Sequence, residues 1–253
     1  MPRPPEADPR WAWFFDIDGT LIELAPTPSS VVVDDDLPHL IARLNRLSGG
    51  AVSLITGRAL SNVDELLPVP GLSVAGQHGF EVRTSSGELE TRMTSADFDQ
   101  IAVEVSRVTM KHRMLLAEHK GNSVALHYRR APKLAGYAHR FMRDLQKRYG
   151  PGIALQKGKW VVELKPEGAN KGEAIRSMMQ RAPFEGRTPA FLGDDVTDES
   201  GFAAVNEMNG VSIKVGPGAT GARYRLHGVA DVRRWLAAGL DAPVQREKQH
   251  GAA

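Results

Sequence analysis

The chain of 253 residues contains no cysteine, which removes disulfides, thiolate zinc sites, iron–sulfur clusters and cysteine nucleophiles together. Long apolar runs are also missing, and none approaches the ~18 residues that a membrane-spanning helix needs. Nor is there an excess of one charge. The 32 Lys and Arg against 30 Asp and Glu leave a net +2, which argues against a nucleic-acid partner, because such proteins carry a strong basic excess. Residues 1–10 are rich in proline and charge and have no apolar signal segment, so a cytoplasmic protein is expected. What remains is an ordinary globular composition, 42% apolar and 25% charged, with length for one large domain or two modest ones.

Hydrophobic spacing divides the chain. Trp11–Phe15, Ala51–Ile55 and Leu72–Ala75 are short apolar runs of strand length, separated by helical patterns at Leu37–Leu47 and Arg58–Leu67. Such alternation predicts a parallel sheet with helices on its faces. The same grammar returns with helix at Lys171–Arg181, strand at Pro189–Leu192, helix at Asp198–Asn206, strand at Val211–Val215 and helix at Val229–Leu240. Between the halves the pattern is helix (Phe98, Ile101, Val105, Val108), hairpin (Met114–Lys120 and Ser123–Arg129 around Gly121-Asn122), helix (Lys133–Tyr149) and hairpin (Ile153–Lys157 and Trp160–Lys165). The fold class is therefore α/β, a Rossmann-like core carrying an inserted α+β unit. The expected boundaries are a tail at 1–10, a core at 11–89 and 167–240, an inserted domain at 90–166 and a tail at 241–253.

The chemistry gathers at strand ends. Phe14-Phe-Asp16-Ile-Asp18-Gly-Thr20 runs a buried strand into two carboxylates two residues apart, at the edge where open α/β sheets bind ligands. Like charges this close call for a cation or a shared proton, although an Asp-rich turn has the same composition. Leu54-Ile-Thr56-Gly57-Arg58 offers a hydroxyl and backbone N–H groups before a helix, suited to phosphate or to plain capping. Lys171 opens another helix, where its ammonium and the helix dipole would act together on an anion. Gly193-Asp194-Asp195-Val-Thr-Asp198-Glu199 ends a strand in an acidic cluster. An all-oxygen donor set of this kind suits Mg²⁺.

These four segments, in this order, resemble the haloacid-dehalogenase-type phosphatase superfamily, and the insertion sits where that superfamily carries a C2-type cap. The resemblance implies that Asp16 is a nucleophile forming an aspartyl-phosphate and that Asp18 is the general acid and base. Thr56, with backbone at Ile17 and Gly57, would hold phosphoryl oxygens, and Lys171 would offset their charge. Mg²⁺ would sit on Asp16, the Asp18 carbonyl and Asp194, with Asp195 acting through water and Asp198 orienting Lys171.

Three further runs, Gly76-Gln77-His78-Gly-Phe-Glu81, Glu118-x-Lys120-x-x-Ser123-x-x-x-His127-Tyr-Arg129 and Glu163-x-Lys165-Pro-x-Gly168-x-x-Lys171-Gly172, resemble trehalose-6-phosphate phosphatases. That resemblance implies Mg²⁺-dependent hydrolysis of trehalose 6-phosphate, the last step of trehalose biosynthesis; a monomer is expected. Glu118, Lys120, Ser123, Glu163 and Lys165 would contact sugar hydroxyls, while Arg58, Gln77 and His78 would line the cleft from the core side. From spacing alone, the two hairpins are equally amphipathic strands with a solvated face. Other sugar-phosphate phosphatases, a phosphomutase with the same DxD pair, and a ligand-binding regulator stand as alternatives. Charge divides along the same boundary. Residues 90–166 hold 15 basic and 7 acidic side chains, a net +8, and the remainder holds 17 and 23, a net −6. A basic cap over an acidic core would draw a small anion between them.

Overall fold

The computed structural model describes residues 1–25, 31–91, 97–168 and 170–241. Its elements run β1 (Ala12–Phe15), α1 (Asp36–Leu47), β2 (Val52–Ile55), α2 (Leu60–Leu66), β3 (Ser73–Gly76), β4 (Glu81–Arg83), β5 (Leu89–Thr91) and α3 (Phe98–Lys111). They continue with β6 (Leu116–His119), β7 (Val124–His127), α4 (Ala135–Tyr149), β8 (Ile153–Gly158), β9 (Val161–Pro166) and α5 (Lys171–Met179). The chain finishes on β10 (Pro189–Gly193), α6 (Glu199–Glu207), β11 (Val211–Val215), β12 (Tyr224–Leu226) and α7 (Val229–Asp241).

β1 sits inside an eight-stranded sheet of order β12-β11-β10-β1-β2-β3-β4-β5, parallel from β12 to β3 and antiparallel beyond. All four residues of β1 are buried because both faces of the sheet are covered. Alternation sends Trp13 and Phe15 to one face, stacked at 5.6 Å in the core built with α1 and α7, and Phe14 to the other, against Phe184 at 5.3 Å and the α5–α6 layer. Asp16 follows directly on this rigid strand, its N–H bonded to the Leu192 carbonyl (2.9 Å).

A separate four-stranded antiparallel sheet, β6-β7-β9-β8, forms the second unit. Val124, Leu126, Val162 and Leu164 face α3 and α4, packing on Ile101, Val105, Met142 and Leu145. The alternate residues of each strand therefore face the other way. Register lines Glu118, Ala125, Glu163 and Gln156 across the four strands in one row on that face.

Several expectations differ in detail. Short strands β4, β5 and β12 extend the large sheet at its edges, where three residues, mostly half-buried or exposed, carry little apolar signal. Glu90 and Thr91, expected in the inserted unit, belong to β5 of the large sheet. Residues 1–10, expected as a tail, lie on the core: the Arg225 N–H bonds the Pro2 carbonyl, Trp235 Nε1 donates to Pro5 O, and Ala7 is buried where Gly239 leaves room. Of the expected C-terminal tail, Asp241 ends α7, and residues 242–253 lie outside those described. No helix among the described residues is long and apolar enough to cross a membrane.

Candidate active site

The carboxyl ends of β1, β2 and β10 form the floor of a cleft of about 960 Å³, counting its open mouth, and the polar face of the small sheet forms its roof. On the floor, Asp16, Asp194 and Asp198 each offer a carboxylate oxygen within 4.8 Å of the others. Lys171, at the first turn of α5, donates to Asp16 (2.7 Å) and Asp198 (2.5 Å). Asn170 caps that helix by accepting from the Glu173 N–H, which sets where the lysine begins. Lys171 and Asp198 are fully enclosed.

Burial pushes the Asp16 carboxyl well above its usual range against the pull of Lys171, and repulsion from Asp198 and Asp194 adds to it. Asp194 is pushed up to about 7 by burial, then by Asp198 and Asp195. Burial opposes the Lys171 ammonium, but Asp16 and Asp198 hold it charged, above its usual value. Three crowded carboxylates with one ammonium leave negative charge uncompensated, so the donor set fits a hard divalent cation. Asp195 accepts the Lys159 N–H (3.0 Å) and its neighbour Val196 N–H (2.8 Å), while Asp198, besides holding Lys171, stands in the acid cluster. Both positions follow from the tight turn after β10, in which the Asp195 N–H donates to Asp198 Oδ2 (2.8 Å) and the two side chains form a reciprocal cap at its N-terminal end. Asp18 is also apart from the triad, its two oxygens held by Arg58 Nε and Nη2 (both 2.6 Å). That bidentate pair lets Arg58, which also lines the cleft, orient Asp18.

At the end of β2, Thr56 Oγ1 accepts the Arg58 N–H (3.1 Å), and Gly57 is held side-chain-free by the His78 ring, 2.8 Å from where a Cβ would stand. Gln77 (φ 47°) and His78 (φ 59°) both occupy the left-handed region in the turn after β3. That turn aims them at the cap. The Asn122 N–H donates to Gln77 Oε1 (3.1 Å), and His78 Nε2 lies 3.3 Å from Glu163 Oε2 and 3.0 Å from the Gln156 amide. Burial, with Lys165 and Lys171 nearby, lowers His78 to about 4 despite Glu163.

In the roof, Glu163 Oε1 accepts from Ser123 Oγ (2.7 Å) and Lys120 Nζ (3.3 Å), and Glu118 Oε2 meets His127 Nε2 at 2.8 Å. Burial works against Glu163, yet Lys120, His78 and Ser123 hold it well below the usual carboxylate range. Glu118, Lys120 and Glu163 reach the cleft wall. Ser123, Gln77 and Lys165, expected to touch substrate, stand behind it. Ser123 is wholly buried, Gln77 is spent on Asn122 and Glu81, and Lys165 is lowered to about 8 by burial and by Lys171 and Lys120, against Glu163. The wall instead gains His127, Arg129, Gln156 and Lys159. Period-2 spacing from Glu118 could not reveal Gln156, because the β8–β9 register decides it; His127 and Arg129 stood in the quoted motif without a role.

Comparison with known proteins completes the description. A family model described as Trehalose-phosphatase matches residues 14–229, which takes in the floor and the roof together. The chain is 45% identical over 233 residues to the trehalose-6-phosphate phosphatase of Escherichia coli K12, covering 92% of this chain and 87% of that one. It is 42% identical over 207 residues to a probable trehalose-phosphate phosphatase of Sinorhizobium fredii, covering 82% and 78%. A solved structure of a trehalose-6-phosphate phosphatase related protein superimposes with a TM-score of 0.71 at 25% identity, covering 90% and 96%. With match, identity and fold extending over the same residues that build the cleft, this chain belongs to the trehalose-phosphatase family.

Proposed function

We propose that the protein hydrolyses trehalose 6-phosphate to trehalose and phosphate, with Mg²⁺ on Asp16, Asp194 and Asp198. The observation that carries this reading is the pairing, across one cleft, of an acid triad with its lysine below and a row of hydrogen-bonding side chains, Glu118, Glu163 and Gln156, above. The floor suits a phosphoryl group and the roof suits neutral hydroxyls. The bound cation supplies charge compensation that lets a carboxylate approach a phosphate dianion.

The chain's own groups do the rest. The Asp16 oxygen attacks phosphorus, the bond to the sugar C6 oxygen breaks, and that oxygen leaves with a proton from Asp18. Asp18, now anionic and oriented by Arg58, takes a proton from water, whose oxygen attacks the aspartyl-phosphate and releases inorganic phosphate. Lys171 offsets charge on Asp16 throughout, and Thr56 Oγ and the Gly57 N–H hold phosphoryl oxygens. His78, Glu163 and Lys120 fix the roof so that the sugar is met by a preformed set of donors and acceptors.

The test is a phosphate-release screen over a panel of sugar phosphates with and without Mg²⁺. Trehalose 6-phosphate should lead the panel, chelator should stop release, and Asp16→Asn should be folded and inactive. Accumulation of an isomerised sugar phosphate, or strong preference for a different sugar, overturns the reading.

A further inference from the structure

The tip of the β8–β9 hairpin, Gly158 to Trp160, reaches down from the roof to the acidic loop after β10. Three restraints hold it there. The Lys159 N–H donates to Asp195 Oδ2 (3.0 Å). The Trp160 carbonyl accepts the Tyr128 N–H (2.9 Å), and its ring meets Tyr128 edge-on at 6.3 Å. At Gly158 a Cβ would stand 2.9 Å from Val161 Cγ1 and 3.1 Å from Asp195 Oδ2, so the close approach admits no side chain. The restraint is paid for in strain, since Trp160 sits at φ 67°, a left-handed conformation that a bulky residue avoids.

What this geometry achieves is the placement of one amine. Lys159 Nζ lines the cleft 3.9 Å from Asp194 Oδ2, longer than a hydrogen bond, with half of its side chain exposed. Opposite it, Lys171 is committed to Asp16 and Asp198, and Arg58 to Asp18. Lys159 is thus a cation held beside the triad by its backbone, with its ammonium at the cleft wall next to Asp194.

We infer that Lys159 is a phosphate-binding residue carried by the cap, and that Asp195 is the positioning residue that seats it. A phosphoryl group on the floor would be met by Lys171 from below and Lys159 from above, and only when the hairpin tip is docked. The inference rests on the reading of the cleft as a phosphomonoester site. It also gives Asp195 a task on the roof, where the sequence had suggested one beside the metal.

The experiment is calorimetric titration of the full-length Mg²⁺-loaded chain with inorganic phosphate and, separately, with trehalose. Lys159→Met should weaken phosphate binding about tenfold or more while leaving trehalose within about twofold, and Lys159→Arg should restore most of the loss. Asp195→Ala should weaken phosphate in the same direction. Asp195→Asn, which keeps an acceptor for the Lys159 N–H, should stay close to wild type. Unchanged phosphate affinity in Lys159→Met overturns the assignment, as does equal loss of phosphate and trehalose, which marks a loosened cap. An Asp195→Asn variant as impaired as Asp195→Ala overturns the role given to Asp195. If the wild type fails to hydrolyse trehalose 6-phosphate but the phosphate pattern holds, the substrate reading falls and the assignment of Lys159 stands.

Discussion

Lys171 carries the electrostatics of the floor, being the ammonium that Asp16 and Asp198 share in a dry environment. Removing one partner of a buried ion pair leaves the others uncompensated, at about 3–5 kcal/mol. Lys171→Met should therefore abolish phosphate release and lower the denaturant midpoint; wild-type turnover in this variant would remove Lys171 from the mechanism. His78 gives a pH signature. Its value is about 4 in the fold against an ordinary 6.5, so between those values the unfolded chain binds a proton that the folded chain does not. The stabilisation is complete above about pH 6.5 and is lost as pH falls towards 4. Around the imidazole stand Glu163 from β9, Gln156 from β8, and the ammoniums of Lys165 and Lys171. Glu163 titrates below 4.5 and the lysines well above, leaving this window to His78 among the groups that face it. In saturating Mg²⁺, wild type should lose about 2 kcal/mol more than His78→Gln between pH 7 and pH 5. Parallel stability curves from urea melts would remove His78 as the source. At this scale the sequence was most legible where chemistry is local. Asp16, Thr56 and Lys171 each follow or precede an apolar element that sets their place, whereas the contact of Asp195 with the Lys159 N–H depends on the hydrogen bonds inside one turn.

Helix α5 delivers Lys171 to the floor, and its height over the sheet is set by contact with α6. A Cβ on Gly172 would stand 2.4 Å from the Ser200 carbonyl oxygen, backbone that cannot step aside cheaply. Gly172→Ala should push the helices apart, costing about 1–3 kcal/mol, and lower kcat by displacing the neighbouring lysine. Unchanged kcat with lowered stability would show that the ammonium is fixed by its carboxylates and not by the helix. Elements with strong periodicity, such as α3 with Phe98, Ile101, Val105 and Val108 inward, were readable from spacing. β4, β5 and β12 were not, because pairing at a sheet edge asks for backbone partners and few apolar side chains. Neither was the Gln77–Gly79 turn, whose Gln77 and His78, both left-handed, are held by contacts with Asn122 and Glu163 from two distant hairpins. Register had the same limit. Spacing puts Glu118 and Lys120 on one face, but only the β7–β9 and β8–β9 pairings bring Glu163 and Gln156 into line with Glu118.

Among the described residues the two units meet across the cleft through Asn122 with Gln77, Glu163 and Gln156 with His78, Lys159 with Asp195 and Arg129 with the Ala25 carbonyl, and charge over the whole molecule also bears on how a substrate enters. The net +8 of residues 90–166 faces the −6 of the remainder, and the floor's own carboxylates repel a phosphate unless cations answer them. Capture of a dianion should then be steered by the cap. Salt shortens the reach of that attraction, from about 30 Å at 0.01 M to about 3 Å at 1 M. Across that range kcat/KM for trehalose 6-phosphate should fall about tenfold or more, while kcat, set after the phosphoryl group is seated, changes much less. Arg140, Arg143 and Lys147 on α4 separate long-range attraction from direct contact, because none of them lines the cleft. Replacing all three by glutamine should flatten the salt dependence with kcat preserved. A slope equal to wild type would confine the effect to cations in the cleft itself, and a kcat/KM indifferent to salt would show that the charge division plays no part in capture.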